Sequence, residues 1–353
     1  MQTTTFDRIA KSFTPVDEVK TSLVTLDKYE RVSPDPGESR LQFSRDGKGN
    51  NIVHLFTGDA VQSDEYLISY DGLLKAGTLC GISSSMLSKL DENDISAAFP
   101  LISHFFNSKK RGYSMLIDPD THAIEAFAPR RVNDYSYLEL FESALNTMRD
   151  YTPNVFVDKP FVSPDKGVYF SLIPDNFAQE MKAGDMVAGG VTFRDHPLGR
   201  FKLDVAAYTY RLVCSNGMLS ANPLAAQRRA SKDDITMSLQ EWLDPAIRQC
   251  VSQIDQELAN MRATIAVKTN GNGAQLMSQA LNEFHVGEAD RRHMVEEATH
   301  AESLYDIVNI LTAHANKDEY QGSPERIRVF QGAAGWVNTH SRTCEHCMSV
   351  LIA

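Results

Sequence analysis

At 353 residues with 42% apolar and 23% charged content, the chain has enough greasy sequence for one large core or two ordinary ones, which excludes a disordered protein. A net charge of −11 excludes a surface coated in basic residues, as a histone-like binder carries. No uncharged apolar run of about 18 residues occurs, and Asp7 and Arg8 interrupt the start, so a cytoplasmic protein is expected. The cysteines Cys80, Cys214, Cys250, Cys344 and Cys347 are scattered and odd in number, which suits reduced thiols. Local charge opposes the global sign in one place. From Arg194 to Lys232 seven Lys or Arg stand against two acids, giving +5.

In chain order, the pattern predicts a short helix near Phe6 to Phe13, then extended LQFSR and NIVHLF joined by the turn DGKGN. Helical spacing follows in YDGLLKAGTLCGI, SSSMLSKL and DENDISAAFPLISHFFNSKK. In the last of these Ile95, Phe99, Ile102 and Phe106 share one face. Pro100 must start that helix late or kink it, because proline removes a backbone donor. Tyr113 to Ile117 and Ala123 to Phe127 flank the turn DPDTH as a hairpin, and a helix is expected from Ser136 to Met148.

Extended NVFVDKPFV and GVYFSLI precede the longest expected hairpin, Asp185 to Arg194 with Gly199 to Cys214 across the loop DHPLG. From Ser238 onward the chain reads as helical, with breaks at TNGNG, VGEAD and DEYQGSP. The helices carrying SLYDIVNILTAHAN and RIRVFQGAAGWVNT should pack antiparallel, with Leu304, Ile307, Val308 and Leu311 facing Val329 and Trp336. The expected fold is α+β: an antiparallel sheet with a long central β-hairpin, a helical insert in the N-terminal half and a helical C-terminal region. Three stretches are expected: residues 1–150, an N-terminal α+β region; 151–235, a hairpin-rich core with the basic island; and 236–353, helical.

Three pieces read together, YLISYDGLLKAGTLCGISSSMLSKL, GDMVAGGVTF with YRLVCSNGM, and SLYDIVNILTAHAN with RIRVFQGAAGWVNTH, resemble domain-of-unknown-function family 932. The resemblance runs in pieces from Tyr66 to His340 and implies a gene of phages, plasmids and their hosts, found among DNA-metabolism genes. It brings no catalytic residues. The chain departs from the family at DHPLG, where an Asn-Ser-rich turn is the commoner pattern.

In the second strand of the long hairpin Phe201, Leu203, Val205 and Ala207 face one way. Arg200, Lys202, Tyr208 and Tyr210 face the other, because strand side chains alternate. Cations that track phosphates beside aromatics that stack bases grip single-stranded nucleic acid. On that reading the contact residues are Arg194, Arg200, Lys202, Tyr208, Tyr210, Arg211, Arg228, Arg229 and Lys232. The competing reading is a half-buried strand whose tyrosines cover a helix.

Cys214, Ser215 and Asn216 invite a thiol nucleophile, but no base is assigned beside them and a strand end with an Asn-Gly turn accounts for them. The tail HSRTCEHC offers His340, Cys344, His346 and Cys347. Four ligands within eight residues, with no second Cys-x-x-Cys, do not favour one tetrahedral zinc. His293, His300 and His314 lack His-Glu-x-x-His spacing, and TNGNGAQL lacks the lysine of a P-loop. The expected function is therefore nucleic-acid binding for a mobile element, with single-stranded DNA as ligand, self-association, and neither cofactor nor metal. Phage strand-annealing proteins offer an analogy of fold. Two alternatives stand beside it: an interaction protein, such as an inhibitor of a host defence system whose acidity suits a basic partner, and an enzyme with an unrecognised site.

Overall fold

The computed structural model describes residues 13–35, 37–87, 89–90, 94–108, 112–129, 135–164, 166–182, 185–197, 202–211, 216–219, 226–229, 237–315, 317 and 324–343. The expected helix near Phe6 lies outside them apart from Phe13. The first half contains α1 (Val16–Asp27), β1 (Glu30–Val32), β2 (Ser39–Arg45), β3 (Asn51–Thr57), β4 (Asp64–Ile68), α2 (Tyr70–Leu79) and α3 (Ser84–Leu87). After them come α4 (Phe99–Ser108), β5 (Tyr113–Asp118), β6 (Ala123–Pro129) and α5 (Tyr137–Arg149). The strands form one sheet in the order β1-β5-β6-β4-β3-β2, antiparallel except where β4 meets β6.

LQFSR and NIVHLF pair from Ser39↔Thr57 to Arg45↔Asn51, as the turn between them predicts. The Asp46 carboxylate closes that turn by accepting from the backbone N–H groups of Lys48 and Asn50 at 2.8 and 2.7 Å. Leu41, Phe43, Val53 and Leu55 point to one side and are buried against Ile95, Phe99, Ile102 and Phe106. The helical face read from spacing is therefore the face that packs. A 3-10 turn (Asp94–Ala98) carries Ile95, and α4 proper begins at Phe99 with Pro100 in its first turn, where a missing N–H costs no helical bond.

Helix α4 also guards the outer edge of β2. The Asn107 amide accepts from Leu41 N and donates to Leu41 O, both at 2.8 Å, and Ser103 Oγ accepts from Phe43 N at 3.0 Å. These side chains stand where a neighbouring strand would.

The second sheet contains β7 (Val155–Ser163), β8 (Gly167–Pro174), β9 (Ala178–Lys182), β10 (Asp185–Asp195), β11 (Asp204–Arg211), β12 (Asn216–Leu219) and β13 (Ala226–Arg228). Its order is β12-β11-β10-β8-β7, with β9 on β10 and β13 on β11. β10 and β11 pair antiparallel from Val187↔Arg211 to Arg194↔Asp204. Leu203 and Val205 are buried and Lys202 is half-buried, so the expected alternation of faces holds, while the register differs, with Asp204 opposite Arg194; Phe201 lies outside the described residues. Among the described residues pairing begins at Asp204, where the expected strand begins at Gly199.

The C-terminal region is α6 (Leu239–Thr264), α7 (Gly273–Glu283), α8 (Glu288–Ala298), α9 (Leu304–Ala315) and α10 (Pro324–Thr343). A reciprocal Ser238–Glu241 capping box starts α6. A further break, between Ala298 and Leu304, has no glycine or proline to announce it; Asp306 Oδ2 closes it by accepting from Ser303 N at 2.9 Å. α9 buries Leu304, Ile307, Val308 and Leu311 and packs against α10. The expected partners are one position off: α10 buries Phe330, Ala333, Ala334 and Val337, while Val329 and Trp336 are only partly covered.

One continuous apolar cluster joins α1, α5, the inner face of the second sheet and α6 to α10. Leu116 and Ala126, from the β5–β6 half of the first sheet, enter it too. The β2–β4 half of that same face stays open, with Arg40, Gln42 and Leu67 exposed. Among the described residues no helix is long and apolar enough to cross a membrane.

Candidate functional site

The strand expected to grip nucleic acid is an interior strand. Tyr208 and Tyr210 do lie opposite Val205 and Ala207, but they are 2% and 1% exposed and pack with Phe13, Ala188, Phe156 and Met186. The Phe13 and Tyr210 ring centres are 5.5 Å apart. Tyr208 Oη donates to Asp158 Oδ2 at 3.2 Å, and burial, with the Asp158 charge behind it, pushes the phenol well above its ordinary pKa. Neither ring is placed to stack a base. Alternation assigns a side chain to a face; it does not say whether that face is wet.

Among the described residues of the basic island, Arg229 is drawn inward. Arg229 is 2% exposed, donates Nη2 to Met237 O at 2.7 Å and lies over the Tyr135 ring at 5.4 Å. Arg228 reaches solvent, with Nη2 3.9 Å from Asp204 Oδ2. That same carboxylate oxygen accepts from Arg328 Nη2 at 2.6 Å, so the buried Asp204 ties β11 to α10. Arg194 and Lys202 are half-buried. Arg200, Lys232 and the side chain of Arg211 lie outside the described residues. Of the nine residues, Arg194, Arg228 and Arg229 come together at the loop end of the hairpin, where Asp204 pairs with Arg194 on one side and Arg228 on the other.

A second polar knot lies at the end of β10. Asp195 is 1% exposed and accepts from Tyr135 Oη at 2.6 Å. Burial raises its pKa to about 7, against the opposing pull of Tyr135, the His196 backbone N–H, the Arg31 charge and Tyr137. Arg31 belongs to β1 and sits over the Tyr137 ring at 5.6 Å, so the knot joins the two sheets. Between its unfolded value near 3.8 and about 7 the native state holds a proton the unfolded chain has lost. Stability from this group therefore falls as pH rises through that window. Asp195→Asn should flatten the decline: between pH 5.5 and 8.5 the melting temperature should drop further in the parent than in the variant, and parallel curves would refute the assignment.

The remaining expected sites contribute little chemistry. Cys214 and Ser215 lie outside the described residues. Cys250 is buried, with Sγ 3.6 Å from Val205 O, and burial pushes its thiol up to about 12, which suits packing and not attack. Among the described residues no group of His, Cys, Asp or Glu could hold a metal. Cys344, His346, Cys347 and the His340 side chain are not among them. Gly273 opens α7, so TNGNG is a linker. A groove of about 580 Å³ runs between α1 and β7, lined by Thr21, Ser22, Thr25, Pro160 and Phe161. The hydroxyls of Thr21, Ser22 and Thr25 donate to carbonyls one turn back in the chain.

On the open half of the first sheet, Ser44 Oγ is 2.7 Å from His54 Nε2, and His54 Nδ1 is 3.4 Å from Glu65 Oε1. No local spacing signals this group, since its members come from three strands. Register would have found it, because Gln42↔His54 and His54↔Glu65 are facing pairs. No family model matches the chain. Neither a curated protein nor a solved structure matches it.

Proposed function

We propose that the chain is a binding protein of a phage or plasmid whose partner is a basic protein and not a nucleic acid, and that it works in the cytoplasm. The fate of the basic island carries this reading. A polyanion binder needs its cations at the surface, each free to displace a counterion. Here Arg229 is internal, Arg194 and Lys202 are half-buried, and among the described cations of the island only Arg228 is exposed. From Glu283 to Asp306, by contrast, seven acids stand against Arg291 and Arg292, and Glu283, Glu288, Glu296, Glu297 and Glu302 are exposed. An acidic surface steers a basic partner toward it and repels DNA. The mobile-element setting rests on the resemblance to family 932.

The test compares the full chain with a Glu288→Lys, Glu296→Lys, Glu297→Lys variant. A partner captured by the first and lost by the second is the expected result, together with no retention of single- or double-stranded oligonucleotides at low salt. The exposed Arg228 keeps the nucleic-acid reading open as the opposite outcome. Oligonucleotide binding that falls steeply with salt, by about 0.7 log units per contact on single strands, and that Arg228→Glu weakens, would restore it.

A further inference from the structure

We propose that Ser44, His54 and Glu65 form a hydrolytic triad that cleaves small carboxylic esters with an apolar acyl group, an activity separate from partner binding. The imidazole of His54 is held on both sides. Nε2 faces Ser44 Oγ at 2.7 Å, while Nδ1 faces Glu65 Oε1 at 3.4 Å and Ser63 Oγ at 3.3 Å. The negative charge of Glu65 beside Nδ1, with Ser63 Oγ there to accept, favours the ring proton on Nδ1 and leaves the Nε2 lone pair directed at the serine hydroxyl. A general base beside a nucleophile requires that tautomer.

Three adjacent strands build the group. His54 on β3 lies between Gln42 on β2 and Glu65 on β4, and Ser44 is the diagonal neighbour one row along. The site is reachable: the His54 and Glu65 side chains are 21% and 61% exposed. Ser44 pairs in register with Ile52, and Ile52 with Leu67, which is 43% exposed. This apolar row beside the serine is where an acyl chain would lie. Gln42, exposed on the same face, carries the amide N–H groups that an oxyanion needs.

In the reaction Ser44 Oγ attacks the ester carbonyl carbon as His54 Nε2 takes its proton. The bond from that carbon to the alkoxy oxygen then breaks, and the departing alcohol receives the proton from His54. Water, deprotonated by the same nitrogen, attacks acyl-Ser44, releases the carboxylic acid and restores the hydroxyl. The balance is ester plus water to acid plus alcohol.

The probes are p-nitrophenyl acetate and butyrate with the full chain, and a fluorophosphonate label located by mass spectrometry. Saturable hydrolysis should fall on the order of 10³-fold in kcat/KM in Ser44→Ala and His54→Asn, and less in Glu65→Gln. Leu67→Ala should raise KM for butyrate more than for acetate. Labelling of Ser44 that His54→Asn abolishes supports the triad even where both esters turn over slowly. Ser44→Cys, which keeps the nucleophile position, should take up iodoacetamide in a His54-dependent way and covers a poorly folded alanine variant. Undiminished hydrolysis by folded Ser44→Ala, a label on another residue, or neither turnover nor label in the parent chain would overturn the proposal.

Discussion

Alanine at Gly189 or Gly190 is expected to cost about 3 kcal/mol of stability, toward the upper end of what overpacking a core costs. A Cβ on Gly189 would lie 2.0 Å from Ile254 Cγ2, so the glycine is what lets α6 rest directly on β10. A Cβ on Gly190 would lie 2.4 Å from Leu172 O. At that point β10 exchanges partners: Val191 to Asp195 pair with β8, while Asp185 to Ala188 pair with β9. The two obstacles differ, and so do their remedies. Ile254→Ala should make Gly189→Ala less costly than the sum of the two changes, whereas no side-chain truncation relieves a backbone carbonyl. Urea unfolding of the singles and of the double variant reads both effects. Additive losses at Gly189 and Ile254 would refute the contact.

Arg328→Ala is expected to cost about 3 kcal/mol, the lower end for breaking a buried ion pair, because its side chain is 16% exposed against 7% for Asp204. The loss comes from stranding a carboxylate inside the protein more than from the attraction given up. Arg228 does not replace it: it is 3.9 Å away and 71% exposed, where water screens it. Asp204→Asn in the same chain removes the stranded charge and should recover much of the loss. If the double variant is no more stable than Arg328→Ala, Asp204 is not what Arg328 holds. An unaltered denaturant midpoint in Arg328→Ala would refute the tie between β11 and α10 outright.

Much of the fold was legible because local rules and tertiary packing agree. Ile95, Phe99, Ile102 and Phe106 recur at helical spacing and form one buried face, and Pro100 marks where α4 starts. The faces of β11 follow from alternation, whereas its register on β10, with Asp204 opposite Arg194, does not. Sequence reading failed where the answer depended on distant chain. Tyr208 and Tyr210 were assigned to the correct side of β11, but their covering by Phe13 and Phe156 comes from segments far away in sequence. Val329 and Trp336 each sit one position before a residue of the buried row Phe330, Ala333, Ala334 and Val337, a rotation of α10 fixed by contacts such as that of Phe330 with His314 on α9. Charge counting found the +5 island but not Arg328 or Arg31, which arrive from other elements to meet its acids. The Ser44, His54 and Glu65 group is local by contrast, on three consecutive strands, and needs their cross-strand register to be seen.

The way Asn107 and Ser103 occupy the rim of β2 bears on how this protein would fail. The opposite rim belongs to β1, only 3 residues long and a poor template for a foreign strand. Growth of the sheet by a second molecule therefore has one practical entrance, and α4 closes it. Entry needs α4 to lift away, which also uncovers Phe99, Ile102 and Phe106. The population of that opened form then sets the rate at which molecules of this chain clump through this sheet at high concentration.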